Sequence, residues 1–145
     1  MGGYTFFTDR DLGRRVPDAL ATAGFSVERH DDHFDPLTPD PVWLTEVGKR
    51  GWIPFSHNKD IRYRSQERDA AMRANLSLFF LIGHAPHAEL AENLICTMPR
   101  VFVFLDEHDP PFIAKIYRPT PVDAVGEKPG RVQMWLAAAD WKPNA

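Results

Sequence analysis

The sequence predicts an α/β fold: a three-layer α/β/α sandwich around a mainly parallel sheet of about five strands. Three observations predict it. Short runs rich in aromatic and β-branched residues alternate regularly with segments of helical periodicity, and strand–helix–strand alternation gives parallel strands. The run Leu76–Gly83 is almost continuously apolar, as expected of a strand covered on both faces. The first three strand-like runs each end in acids or amides, at Asp9, at Asp31-Asp32 and at Asn58-Lys59-Asp60. Parallel strands bring those ends to one sheet edge, where open α/β sheets place their ligand sites.

Residues 4–8 read as the first strand. Asp9 or Asp11 is suited to cap the helix that follows, with Leu12, Val16, Leu20 and Ala23 on its buried face and Gly24 at its end. Residues 25–30 form a second strand, and 33–39 a loop. Asp40-Pro41 is a strong helix start, because aspartate caps and proline suits the first helical position. That helix carries Val42, Trp43 and Val47 and stops near Gly51. Residues 52–56 make a third strand, which Pro54 predicts to be an edge or a bulge. Ser65 is placed to cap a helix through Arg73. After the central strand comes a long helix from about His87 to His108, with a kink expected at Pro99. Residues 112–117 form a fifth strand. Residues 119–130 are rich in proline and glycine, 131–136 read as a hairpin partner, and the last nine residues as a loose tail.

At 145 residues the chain suits one domain, able to bury roughly 70% of its unfolded surface. With 43% hydrophobic and 26% charged residues it reads as a globular protein in water. Its single cysteine, Cys96, excludes an internal disulfide and suits a reducing compartment. No signal-peptide pattern or membrane-length apolar run is present, so a cytoplasmic protein is expected. A net charge of −3 argues against a strongly basic nucleic-acid binder, while leaving room for a local basic surface. Phosphate-binding glycine loops, the serine-nucleophile elbow and the HExxH zinc motif are all missing.

What remains is the acidic edge. Carboxylates gathered there repel one another and call for a cation. Hard divalent ions such as Mg²⁺ take oxygen ligands from a few carboxylates and keep several waters. Each acid also has a simpler use: Asp9 and Asp40 as helix caps, Asp60 as a surface partner of Arg62. The His30-Asp-Asp-His33 box has zinc-ligand residue types, but without a further pair it is weak evidence for zinc.

The segments Phe6–Arg14, His30–Phe34, Thr38–Leu44, Gly51–Arg64 and Pro111–Ile113 together resemble the PIN-like nuclease superfamily, most closely a compact branch that includes a VapC-type toxin family. The similarity spans roughly residues 4–118, so residues 1–118 are read as a PIN-like domain and 119–145 as a C-terminal extension. The resemblance implies a metal-dependent endoribonuclease using Mg²⁺ or Mn²⁺, with RNA as substrate and a cognate antitoxin protein as partner. Homodimers are common among such proteins, and no membrane association is expected. Carried over by position, Asp9 is the first-strand acid, Asp40 the helix-start acid and Asp32 a neighbour. The third strand departs from the pattern: Asn58 stands where an aspartate is usual, with Asp60 two residues on, and Ser56 where threonine is usual. The expected metal ligands are therefore Asp9, Asp40, Asp60 and Asn58, with Asp32 positioning water or a second ion. Lys59, Arg62, Arg64 and Arg14 are expected to meet the RNA backbone. A second reading follows from Asn58 and the net negative charge: a degenerate, non-catalytic PIN-like module that binds RNA or a partner protein.

Overall fold

A computed structural model describes residues 3–83, 85–118 and 129–143. Six strands form one sheet: β1 (Thr5–Thr8), β2 (Ser26–Arg29), β3 (Ile53–Ser56), β4 (Ser77–Leu81), β5 (Phe112–Ile116) and β6 (Val132–Ala137). Their order is β2-β1-β3-β4-β5-β6, parallel throughout except for β6, which returns antiparallel to β5.

Alternation along the strands splits the core in two. Phe6, Phe55, Phe79 and Phe112 point to one face, where α1 (Arg15–Thr22) and α6 (His87–Glu107) cover them with Val16, Leu20, Leu90 and Leu94. Phe7, Leu78, Phe80 and Ile113 point to the other, against α3 (Asp40–Lys49), α4 (Lys59–Tyr63) and α5 (Ser65–Arg73). Trp43, Leu44, Val47, Ile61 and Met72 complete that layer. Each such fully buried side chain contributes about 1.5–3 kcal/mol. The result is the three-layer sandwich that the alternation predicts.

Several local expectations are corrected. Leu12 is buried from a short 3₁₀ turn (Arg10–Leu12) that precedes α1, and Ala23 is exposed beyond its end. His30 leaves the second strand and opens a helical turn, α2 (His30–His33). Pro54 lies in a strand paired on both sides, not at an edge. The Asp9 amide donates to the Phe55 carbonyl, so Phe55 faces β1 and Pro54 faces β4. The β3–β4 register begins only at Phe55–Phe79, so the amide that Pro54 lacks falls at the start of that ladder. Ser65 is the first residue of α5 and makes no side-chain cap. Residues Lys59–Tyr63 form a separate helix, α4, in addition to the predicted elements; Asn58 caps it, accepting from the Asp60 amide at 3.0 Å.

The stretch 119–128 falls outside the described residues. Residues 137–143, expected as a loose tail, instead end β6, make a 3₁₀ turn (Ala138–Asp140) and place Trp141 on the core. The Trp141 indole donates to Asp69 of α5 at 2.8 Å.

Candidate active site

The carboxyl ends of β1, β2, β3 and β4 lie along one edge. Asp9 follows β1 immediately and is only 6% exposed. Its Oδ1 accepts from the Arg10 amide at 2.7 Å and its Oδ2 from the Ser56 hydroxyl at 2.8 Å. Ser56, fully buried at the end of β3, also accepts from the Asn58 amide at 3.0 Å. One hydroxyl thus ties two strand ends together and fixes the carboxylate.

Asp40 arrives from the start of α3. Its side chain does not cap the helix as expected. Oδ1 accepts from the Trp43 indole at 2.8 Å, and Oδ2 from the Asn58 side-chain amide at 3.0 Å. The Trp43 ring is buried and stacked on Phe7, so its N–H is a rigid donor. Asp11 follows in the 3₁₀ turn, its Oδ1 3.4 Å from the His57 amide. Gly13 ends that turn at φ +63, with the His87 ring packed where a Cβ would lie.

Asp9, Asp11, Asp40 and Asn58 line one cleft of about 270 Å³, together with Arg10, His30, Trp43, Pro36 and Thr38. Arg10 donates to the Pro36 carbonyl at 2.7 Å and so pins the 34–39 loop beside the opening. Burial pushes the Asp9 carboxyl up to about 7; the charges of Asp11 and Asp40 push the same way, against the hydrogen bonds from Ser56 and Arg10. The Asp11 carboxyl is raised too, first by desolvation within the cleft and then by Asp40, with His57 and His87 opposing. His30 packs against Phe7, Phe34 and Trp43, and that desolvation lowers its imidazole pKa.

The structure brings Asp9, Asp40 and Asn58 together. It does not bring Asp60 or Asp32 to the cleft. Asp60 is half-exposed and lies 3.6 Å from Arg64 on the next turn, and Asp32 is exposed, 4.0 Å from Arg29. The Asn58 oxygen caps α4, so the face it turns to Asp40 is its N–H. Of the expected RNA contacts, Lys59 and Arg62 line a neighbouring cleft. Arg64 pairs with Asp60, and Arg14 is exposed ahead of α1.

Asp11 and Trp43 belong to the site but were not singled out for it. Asp11 stands two residues past Asp9, and Trp43 three past Asp40, one helical turn away. Both spacings are visible in the sequence.

Residues 4–83 match the family of PIN-like domains, a span that includes the whole acidic cleft. The chain belongs to the PIN-like domain family. No curated protein and no solved structure matches it. PIN-like domains have a nuclease-type fold, and the nucleases among PIN domains generally use divalent metals. In this PIN-like domain the acids of the cleft offer donors of the right kind, carboxylate oxygens, and burial together with the neighbouring charges of Asp11 and Asp40 raises the Asp9 carboxyl to about 7. Among the described residues, however, no group of three or more His, Cys, Asp or Glu side chains is placed to hold an ion. No helix of the described residues is long and apolar enough to cross a membrane.

Proposed function

We propose that this PIN-like domain is a metal-dependent endoribonuclease that cleaves RNA phosphodiesters at the cleft lined by Asp9, Asp11 and Asp40. One observation carries the reading: three acids converge on a cleft at the sheet's carboxyl edge, and their crowding helps to hold Asp9 at about 7. A buried carboxylate, Asp9, with two further acids lining the same cleft is the kind of donor set that favours a bound cation.

Asp9, Asp11 and Asp40 are the residues that would hold Mg²⁺ or Mn²⁺, in place of the set Asp9, Asp40, Asp60 and Asn58 that the resemblance implies. Such an ion supplies activation of water and stabilisation of charge on the cleaved phosphate. The protein's own part is positional. Ser56 and the Arg10 amide fix Asp9, while Trp43 and Asn58 fix Asp40. At neutral pH Asp9 keeps its proton part of the time, and added positive charge in the cleft drives that proton off. Arg10 is the cation among the residues lining this cleft.

The toxin role belongs to the same proposal and rests on the sequence resemblance. A cognate antitoxin would cover the acidic edge, with an arginine opposing the carboxylates. A cytoplasmic setting is supported by the single cysteine.

A second reading, a non-catalytic module that binds RNA or a partner protein, is favoured by Asn58. That amide donates a hydrogen bond to Asp40 where an acid would add a charged ligand. Incubation of the purified protein with a mixed RNA pool in Mn²⁺, Mg²⁺ or EDTA, beside Asp9→Asn, separates the two. Cutting that EDTA abolishes and Asp9→Asn removes supports the nuclease. RNA left intact in every ion supports the binding module.

A further inference from the structure

A second cleft of about 330 Å³ opens on the same edge, between the ends of β3 and β4. Phe80 and Leu81 line its apolar side, and His57, Lys59, Arg62 and Gly83 its polar side. No acid lines it, in contrast to its neighbour.

Arg62 is its central group. The guanidinium lies 4.6 Å from the Tyr63 ring centre, 5.7 Å from Phe80 and 5.9 Å from Trp135, and donates to the Tyr63 hydroxyl at 2.8 Å. Its Nε is shut off from solvent and has no hydrogen-bond partner. A guanidinium held among rings keeps its charge but loses hydration, which strengthens its attraction for an anion. Lys59 stands exposed at the lip. Gly83, at φ +105, lets the Arg118 side chain pass within 3.4 Å of where a Cβ would stand; that guanidinium is paired with Glu89 at 3.4 Å, so Arg62 and Lys59 are the cations that line the cleft.

His57 joins the two clefts. Its main-chain N–H faces Asp11, while its Nε2 is 2.7 Å from the Gly83 carbonyl, closing the wall of the basic cleft.

We propose that the basic cleft is a phosphate subsite, which anchors one phosphodiester of an RNA strand while its neighbour lies in the acidic cleft. The proposal rests on the ribonuclease reading, and it answers a problem that reading creates. Three carboxylates repel a phosphate, so a strand crossing this edge needs an anchor beside them. The segment Ser56–Asn58 holds anchor and acidic cleft in fixed relation, through Asp9 and Asp40 on one side and Gly83 on the other.

The test is anisotropy titration of a short labelled single-stranded oligoribonucleotide in EDTA, where no cutting interferes. Arg62→Met should weaken binding about tenfold and lower the salt slope by about one. Lys59→Gln should act in the same direction but less, and Arg62→Lys should restore the slope. Lys49→Gln, an exposed charge at the far end of α3, should stay within about twofold of wild type. Because Arg62 covers Phe80 and Trp135, thermal melts accompany each variant; Lys59→Gln decides the matter if Arg62→Met does not fold. Wild-type affinity in Lys59→Gln and in folded Arg62→Met overturns the proposal, as does an equal loss in Lys49→Gln. A mononucleotide that binds as tightly as the oligomer also overturns it, by assigning the cleft to small phosphates. Arg62-dependent binding without Mn²⁺-dependent cutting leaves the subsite standing and removes the nuclease reading.

Discussion

Asn58 donates its side-chain amide to Asp40 Oδ2 at 3.0 Å, while its own oxygen accepts from the Asp60 amide at the start of α4, also at 3.0 Å. One residue thus caps a helix and steadies an acid of the cleft. Aspartate at this position would cap equally well but would turn a negative charge toward Asp40.

Asn58→Asp therefore trades a hydrogen bond for a repulsion. The expected loss is about 1–2 kcal/mol at pH 8 without metal. Mn²⁺ should recover it, raising the melting temperature more in the variant than in the wild type. Melts with and without Mn²⁺ read both effects; equal Mn²⁺ shifts in the two proteins would show that position 58 lies outside the ion's reach.

Asp9 predicts a pH dependence of opposite sign to that of an ordinary ion-paired acid. With its folded pKa raised from 3.8 to about 7, the folded state holds the proton more tightly than the unfolded chain. Its contribution to stability is fully present below pH 4 and is lost as pH rises through 7. Asp9→Asn, neutral at every pH, removes that slope. At pH 8 the variant should be more stable than wild type, by on the order of 2–4 kcal/mol, and the difference should fade toward pH 4. Urea midpoints at several pH values measure this.

Trp43→Phe keeps a buried ring on Phe7 but deletes the indole donor to Asp40. The expected cost is about 1–2 kcal/mol by urea unfolding. Cleavage should fall further than this stability loss explains, because Asp40 is then held by Asn58 alone among its observed side-chain donors.

Trp141→Phe removes the indole donor from the buried Asp69. A loss of about 1–3 kcal/mol in global stability is expected, with RNA binding unaffected. This separates the C-terminal clamp from the site.

The layers of this fold were legible in the sequence because alternation and apolar runs report burial directly: Phe6 and Phe7 point to opposite faces, and β4 is buried along its whole length. Pro54 misled, because proline is excluded from a strand only where its missing amide is needed, and a ladder starting at Phe55 does not need it. Asp9 and Asp40 were readable from their places at a strand end and a helix start. Charge and proximity to Asn58 point to Asp60, but helix α4 turns it toward Arg64. Asp11, which the sequence offers only as a possible cap, is returned to the cleft by the 3₁₀ turn after β1. Strand positions follow from periodicity; side-chain directions in short turns follow from hydrogen bonds that no spacing rule gives.

The claim that the acidic cleft is the seat of RNA cleavage is tested most directly by RNA cutting rates in Mn²⁺ for Asp9→Asn, Asp11→Asn and Asp60→Asn, measured side by side. The first two should fall by roughly 10²-fold or more, with circular dichroism unchanged, while Asp60→Asn should stay within about threefold of wild type. A loss confined to Asp60→Asn, or full activity in Asp9→Asn, would contradict the account.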